Sequence, residues 1–300
     1  MRARRRGERP AVAYLFLSPW VLGALLLTVG PMLASLYLSF TDYNLFTTPN
    51  WVGFANYRRL FADDPRFHAA VWVTLKYVLI ATPLKLAAAL AVALLLNRVS
   101  AASGLYRSAF YAPSLLGASV AVALVWRVIF DTNGVVDHAL AAVGIDTGGW
   151  VSSPRFALLT IVGLSVWQFG APMVIFLAGL KQIPGELYDA SAVDGAGWWR
   201  TLFSVTLPML SPVIFFNLVL ETIHSFQAFT PAFVVSSGRG GPSDSTLFYT
   251  LYLYQKGFIE FRMGYASAMA WILVLVIALI TALIFRTARS WVFYQGEVSR

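Results

Sequence analysis

Two groups of acidic and polar residues interrupt an otherwise apolar sequence and could carry its chemistry. The first is Glu186, Asp189 and Asp194, which lie among small residues and glycines in the stretch ELYDASAVDGAGWWRTLFSVTLP. Clustered carboxylates can act as an acid/base pair or serve a lipid-headgroup transferase. These acids lack the repeated Asp-x-x-Asp spacing and the basic companions of such an enzyme, and the sequence has no G-x-x-x-x-G-K-[ST] loop for ATP. The sequence therefore predicts a non-catalytic chain.

The second group lies inside an apolar segment. Asn217, Glu221 and His224 are spaced i, i+4 and i+7, so they share one face of a helix. Ionisable groups in a membrane span are costly and usually face a cavity or a partner helix. Hydrogen bonding between helices is the alternative explanation, and one histidine with one carboxylate is too few ligands for a metal. The predicted lining of a transport path is Gln168, Asn217, Glu221, His224 and Gln227.

Long apolar segments must position both groups. The chain has 300 residues, of which 58% are hydrophobic and 12% charged, with a mean hydropathy of +0.69. Soluble domains carry about 25% charged residues, so the composition indicates an integral membrane protein. A membrane-spanning helix needs about 20 mostly apolar residues. Six spans are predicted, at 11–40, 70–97, 106–130, 156–180, 207–235 and 264–285.

The distribution of basic residues predicts the orientation of these spans. The formal charge is +8, and five arginines (Arg2, Arg4, Arg5, Arg6 and Arg9) precede the first span. This is typical of a cytoplasmic tail rather than of a nucleic-acid-binding protein. With six spans both termini are cytoplasmic, and so is the segment from Glu186 to Pro208. The chain has no cysteine, which excludes disulfides and thiolate metal sites.

The cytoplasmic segment should contain a short helix. Pro184 suits a first helical turn, and Glu186 with Asp189 favours the positive end of the helix dipole. Gly195 can adopt the left-handed conformation that ends a helix. Leu187, Ala190, Ser191 and Asp194 are predicted to form one narrow face of small residues with a single larger side chain. An ordinary solvated loop is the alternative.

The stretch DASAVDGAGWWRTLFSVTLP resembles the cytoplasmic signature loop of binding-protein-dependent ABC importer permeases. The matching positions are Asp189, Ala190, Ser191, Gly195, Val205, Leu207 and Pro208. Aspartate replaces the usual glutamate, and serine replaces the second alanine. VDGA, at Val193–Ala196, is similar to the form in carbohydrate-type permeases. Similar segments are WVGFANYRRLF, YRSAFYAPSLLGASVAVALVWRVIF, GGPSDST and FRMGYASAMAW.

The resemblance implies an all-α, six-span type I permease fold. In that family the signature loop forms a coupling helix that docks on a separate ATPase. The implied contact residues are Glu186, Leu187, Asp189, Ala190, Ser191, Asp194 and Gly195. The implied organisation is a basic cytoplasmic N-terminus at 1–10, a peripheral first helix at 11–40, a permease core at 70–286 with the coupling loop at 182–206, and a cytoplasmic C-terminus at 287–300.

The resemblance also implies partners and a substrate class. The partners are a second, related permease, two ATPase subunits that bind ATP and Mg, an external solute-binding protein and membrane lipid, with no nucleic acid and no cofactor in this chain. The location is a bacterial or archaeal cytoplasmic membrane, and the substrate a sugar or oligosaccharide. Glycerol-phosphate-type substrates are an alternative within the family. A stand-alone secondary transporter is another, but it predicts inverted repeats that are not detected.

One deep basic residue bears on the choice of substrate. Lys85, beside Pro83, is the only basic residue placed deep in a predicted span. It could meet an acidic group such as Glu221. An anionic substrate needs a basic path, so the sequence favours neutral sugars.

Overall fold

The structure is a computed structural model that describes residues 10–98, 103–116, 119–144 and 148–293. The predicted N-terminal tail up to residue 9, with its five arginines, lies outside these residues, as does the last part of the C-terminal segment, 294–300. Within the described ranges the chain is helical, apart from turns and one isolated bridge between Thr41 and Trp51. The all-α prediction is confirmed.

Fifteen α-helices are described, and three π-helical stretches extend or join some of them. The helices are α1 (Pro10–Ala24), α2 (Gly30–Leu38), α3 (Ala55–Ala62), α4 (Pro65–Arg98), α5 (Ser103–Leu116), α6 (Val120–Phe130), α7 (Val135–Ala141), α8 (Ala157–Trp167), α9 (Gly170–Leu180), α10 (Gly185–Val193), α11 (Trp198–Thr201), α12 (Leu207–Phe226), α13 (Thr230–Val235), α14 (Tyr249–Tyr254) and α15 (Met263–Trp291). The π-helical stretches are Leu25–Val29, Leu202–Thr206 and Gln255–Ile259.

Four helical runs in the described chain are long and apolar enough to cross a membrane by themselves. They are Tyr14–Leu38, Pro65–Arg98, Trp198–Val235 and Met263–Trp291. Two bent pairs, α5 with the helical stretch Val120–Ala141 and α8 with α9, bring the number to six if each pair is one span. Each predicted span overlaps one of these runs or pairs. The predicted spans at 106–130 and 156–180 correspond to these two bent pairs.

The chain divides into two compact units, which are described separately. The larger unit comprises Asp64–Tyr252 and Val274–Arg300. Its centre is α4, which packs against α8, α9 and α12. Buried side chains such as Leu86, Met173, Phe176 and Leu210 form the core between these helices. Gly179 permits close packing of α9 on α12, because a Cβ atom there would lie 2.8 Å from side-chain atoms of both Leu210 and Val213.

The smaller unit comprises Met1–Asp63 and Leu253–Leu273. The side-chain amide of Asn56 donates hydrogen bonds to the carbonyl oxygens of Ser39 (2.9 Å) and Thr41 (2.8 Å), which ties α3 to the end of α2. The backbone and side-chain N–H groups of Asn50 donate to the Asp42 carboxylate, and these hydrogen bonds lower the pKa of Asp42. Most side chains of the first span are exposed, as expected for a lipid-facing helix.

Candidate functional site

An ion pair between α4 and α12 is the central feature of the membrane interior. The Nζ atom of Lys85 lies 2.7 Å from Oε2 of Glu221, and the two side chains are only 14% and 9% exposed. An unpaired charge at this depth carries a large desolvation cost in free energy, and each of the two groups offsets part of that cost for the other. The expectation that Lys85 could meet Glu221 is confirmed.

A second polar pair extends the contact along the same two helices. The hydroxyl groups of Thr82 and Ser225 are 2.9 Å apart, and both residues are buried. Thr82 lies three residues before Lys85, and Ser225 lies four residues after Glu221, so the helices run antiparallel and the pairs are one turn apart. Of the polar face predicted for α12, Glu221 is therefore paired with a residue of α4, and Ser225 adds a second contact.

A cavity of about 430 Å³ opens on this polar contact. The bend between α8 and α9 contributes part of its wall, since the helix stops where Gln168 leaves helical geometry at φ −85° and ψ 31°. The Ser114 hydroxyl donates to the Gln168 carbonyl and accepts from the Ala171 amide, both at 3.0 Å. Irregular backbone at membrane depth needs such partners, and it is found where it lines a cavity. The polar lining residues are Tyr77, Lys85, Ser114, Ser165, Gln168, Glu221, His224, Ser225 and Thr230.

The predicted path residues are only partly brought together. Gln168, Glu221 and His224 line the cavity. Asn217 is buried one turn away, where its side-chain amide donates to the Val213 carbonyl of its own helix at 3.0 Å. Gln227 faces a different depression, formed with α15 residues such as Val274. The prediction that Asn217 shares the helix face of Glu221 is compatible with this placement, but Asn217 does not line the cavity.

Sequence reasoning missed several lining residues. Tyr77 lies two turns before Lys85 on α4, at spacing i and i+8, so helical periodicity could have identified it. Both Tyr77 and Ser165 line the cavity. Ser114 and Ser165 carry no such signal, because serine is common in spans and only the tertiary fold brings these two to the cavity. Among the described residues, no three His, Asp or Glu side chains are grouped as metal ligands would be.

The second candidate site is α10. Pro184 occupies the N-cap position, with an extended ψ of 133° and no side-chain capping hydrogen bond. It therefore lies one residue before the first turn, in which it was predicted to lie. Gly195 adopts φ +70°, and its backbone N–H donates to the Ala192 carbonyl at 3.0 Å. This is the left-handed termination expected of a glycine. The predicted short helix is confirmed.

The inner side of α10 rests on the protein's own core. Leu187 and Tyr188 pack against a cluster that includes the buried Ile183. Ser191 also faces inward, with its hydroxyl 2.8 Å from the Tyr188 carbonyl and 3.3 Å from the Thr201 hydroxyl. Of the four residues predicted to form one narrow face, Leu187 and Ser191 are half-buried against the protein's own residues, whereas Ala190 and Asp194 are exposed.

The most exposed side of α10 consists of four residues at helical spacing. Glu186, Asp189, Ala190 and Val193 are all exposed, at i, i+3, i+4 and i+7. Val193 is 87% exposed, so its whole side chain is available to a partner. Asp194 and Gly195 extend this surface beyond the helix and are exposed as well. We call Glu186, Asp189, Ala190 and Val193 the outer face of α10.

Comparison with known proteins decides which class of protein carries this arrangement. Residues 85–290 match the family described as "Binding-protein-dependent transport system inner membrane component". The chain belongs to this family. It is thus a multi-pass membrane protein and a transport subunit. The matched residues include α10 and every lining residue of the cavity except Tyr77.

Individual relatives cover nearly the whole chain. The "Probable ABC transporter permease protein YesP" of Bacillus subtilis (strain 168) is 50% identical over 95% of this chain and 92% of that protein. The "Lactose transport system permease protein LacF" of Rhizobium radiobacter is 32% identical over 92% of this chain and 94% of that protein.

A solved structure supports the fold. A chain of the crystal structure of a bacterial alginate ABC transporter, in complex with an alginate pentasaccharide-bound periplasmic protein, aligns with a TM-score of 0.79. The alignment covers 94% of this chain and 95% of that chain at 21% identity, so it concerns the fold alone. The predicted permease fold is confirmed.

Proposed function

We propose that this chain is one permease subunit of an ATP-driven importer that carries a sugar or an oligosaccharide. Membership of the transport family supports the importer, and the names of relatives support the substrate class. Those relatives include the lactose permease protein, an arabinooligosaccharide permease protein of Bacillus subtilis (strain 168) at 30% identity, and a sulfoquinovosyl glycerol permease protein of Agrobacterium fabrum at 33% identity.

The observation that carries the substrate proposal is the chemistry of the cavity between α4 and α12. Its polar groups are hydroxyls, an amide, an imidazole and one internally compensated ion pair. Because Lys85 and Glu221 neutralise each other, the cavity presents hydrogen-bonding groups without a strong net charge. Such a surface suits a neutral polyhydroxylated solute better than an anion. Gln168, Glu221 and His224 are the residues we assign to the path.

Asn217 and Gln227 receive different assignments. Asn217 is buried and bonded within its own helix, so we assign it to packing between helices. Gln227 is exposed beside α15 and is available to a neighbouring subunit or to lipid. The glycerol-phosphate alternative is less favoured, since a phosphate would have to separate Lys85 from Glu221.

The outer face of α10 is the proposed contact with the ATPase. It carries two carboxylates, one methyl group and the exposed Val193, and the helix itself is fixed to the core through Leu187 and Tyr188. A movement imposed on the outer face would therefore be transmitted to α9 and α12, which also bound the cavity. Leu187 and Ser191 support this contact from behind rather than touching the partner.

The transport cycle follows from two states of the whole assembly. A second permease related to this chain completes the pathway, and an external solute-binding protein delivers the substrate. ATP and Mg bind in two partner ATPase subunits, whose closure draws the coupling helices together. The assembly then shifts from an inward-facing to an outward-facing state, because ATP stabilises one state more than the other. This arrangement requires both termini of the chain in the cytoplasm.

Co-purification tests the proposal. The chain is expressed with the ATPase and permease encoded for the same system, and hydrolysis of ATP is measured in lipid with and without the sugar-loaded binding protein. We expect a stable complex whose hydrolysis rises when the loaded binding protein is added. If the chain purifies alone and its solute uptake is driven by an ion gradient, it is a secondary transporter instead.

A further inference from the structure

A second polar cavity lies behind α10, separate from the substrate cavity. It has a volume of about 270 Å³ and lies among the end of α4, α10 and the α11 segment. A water molecule occupies about 30 Å³ in the liquid, so the space holds a group much larger than one water. Its polar lining residues are Asn97, Arg98, Tyr188, Thr201 and Thr206.

Two hydroxyl groups at this cavity, those of Tyr188 and Thr206, lack a close hydrogen-bond acceptor among the residues that the structure describes. The Tyr188 and Thr206 hydroxyls are 3.4 Å apart, and the Thr206 hydroxyl is 3.5 Å from the Thr201 carbonyl. These distances are beyond the usual range for O–H···O hydrogen bonds. The Tyr188 and Thr206 hydroxyls thus make only long hydrogen bonds within the protein, and they have capacity for a stronger acceptor.

The charge of the cavity is positive. Arg98 forms no ion pair with any residue in the described part of the chain, and its guanidinium lies 5.4 Å from the centre of the Trp198 ring. No carboxylate belongs to the lining as far as the structure describes it. Arg98 also lies in the last turn of α4, where a cation favours the helix dipole. That role accounts for the charge, but not for the weakly bonded hydroxyls beside it.

We propose that this cavity binds a phosphate group, and that the phosphate belongs to an anionic phospholipid. Arginine forms strong charge-assisted hydrogen bonds with phosphate oxygens, and hydroxyl and amide donors complete such a site. Basic pockets between spans on the cytoplasmic side are known to hold lipid headgroups.

The surroundings favour a lipid over a soluble phosphate. Trp198 and Trp199 are exposed, and the Trp199 ring stacks on the exposed Phe203 at a centroid distance of 6.2 Å. Exposed aromatic side chains next to a span mark the level of the lipid headgroups. At this level the abundant phosphate is that of the membrane itself.

A phosphate in this cavity would connect the substrate-carrying and ATPase-contacting parts of the protein. Arg98 belongs to α4, which carries Lys85, whereas Tyr188 belongs to α10. A bound headgroup would bridge the two helices and hold α10 in register with α4. This last consequence depends on the proposed role of α10 in coupling, but the binding itself does not.

Tryptophan quenching by brominated lipids tests the site directly. The chain, purified with the subunits that accompany it, is placed in nanodiscs with brominated phosphatidylglycerol or brominated phosphatidylcholine. We expect stronger quenching by phosphatidylglycerol, and we expect Trp198→Phe to abolish most of the difference. Arg98→Gln should lower the preference for phosphatidylglycerol about tenfold, the size of losing one charge-assisted hydrogen bond.

Two control variants separate the site from general surface charge and from misfolding. Arg200→Gln removes an exposed arginine that does not line the cavity, and should keep the preference. Arg98→Lys keeps the charge and should keep most of it. The proposal is overturned if Arg98→Gln retains the wild-type preference, or if Arg200→Gln loses as much.

Competition with soluble phosphates distinguishes the two sources of the ligand. Glycerol phosphate and inorganic phosphate should leave the lipid preference unchanged. If either abolishes it in the wild type but has no effect in Arg98→Gln, the site takes a soluble phosphate and the lipid assignment is wrong. Because quenching requires no transport, these outcomes are independent of whether the chain is an importer subunit.

Discussion

Removing one charge of the Lys85–Glu221 pair should destabilise the protein far more than removing both. The charged atoms are 2.7 Å apart, and the side chains are 14% and 9% exposed. Lys85→Met leaves a carboxylate in the interior without its partner, and Glu221→Met leaves an ammonium group. Loss of one partner from a buried pair costs about 3–5 kcal/mol. The double variant leaves two apolar side chains of similar length, and such a replacement is often neutral or even stabilising.

Thermal unfolding of the purified chain in one fixed detergent measures this difference. A loss of 1 kcal/mol lowers the Tm of a domain of 150–250 residues by about 2–4 °C, so each single variant should unfold roughly 10 °C lower. The double variant should unfold within a few degrees of the wild type.

The matched control is the Arg66–Asp244 pair, whose side chains are 43% and 31% exposed. Its coupling should be under about 1 kcal/mol. Additive effects of Lys85→Met and Glu221→Met would refute a direct, buried ion pair.

Three further outcomes follow from the helices around the two sites. On the natural cysteine-free background, Val193→Cys should cross-link to the ATPase subunit, whereas Leu187→Cys should not, because Leu187 packs inward; equal cross-linking would contradict the outer face of α10. Gly195→Val should reduce sugar-stimulated ATP hydrolysis, since valine at φ +70° costs about 1–2 kcal/mol, while Gly195→Asn should retain it; a fully active valine variant would rule out a need for this conformation. Gly179→Leu should lower the yield of folded protein, measured by gel filtration, because the space beside it is filled by α12. Gly104→Leu, which has no atom within 4 Å of the new Cβ, should not, and equal losses in both would argue against close packing of α9 on α12.

The spans and the ion pair could be predicted from the sequence because charged residues are rare in this chain. With few ionisable residues at membrane depth, Lys85 and Glu221 had few alternatives to each other. The short helix before Gly195 was predictable for a local reason, since the proline, the acids and the glycine occupy positions with known helix-end preferences. The ion pair was predictable from the small number of charged residues at membrane depth, and the short helix from neighbouring residues. Neither prediction requires knowledge of the tertiary packing.

The details that failed are set by contacts distant in sequence. The break at Gln168 is stabilised by Ser114, which lies 54 residues earlier, and no local pattern records that contact. Periodicity predicted a stripe along α10, but the packing of Tyr188 against the core decides which stripe faces outward. Asn217 was placed on the correct helix face, yet one turn too far along it to reach the cavity. Helical spacing gives the angular position of a side chain around the helix axis. It does not tell where along the helix the cavity begins and ends.

ATP-driven uptake into sealed proteoliposomes tests the central claim most directly. The vesicles contain this chain with its partner permease and ATPase subunits, ATP and Mg are enclosed, and a labelled sugar is offered outside with the binding protein. We expect accumulation that requires enclosed ATP and the binding protein and that persists when ion gradients are collapsed. Accumulation that continues without ATP and stops when an ion gradient is collapsed would contradict it.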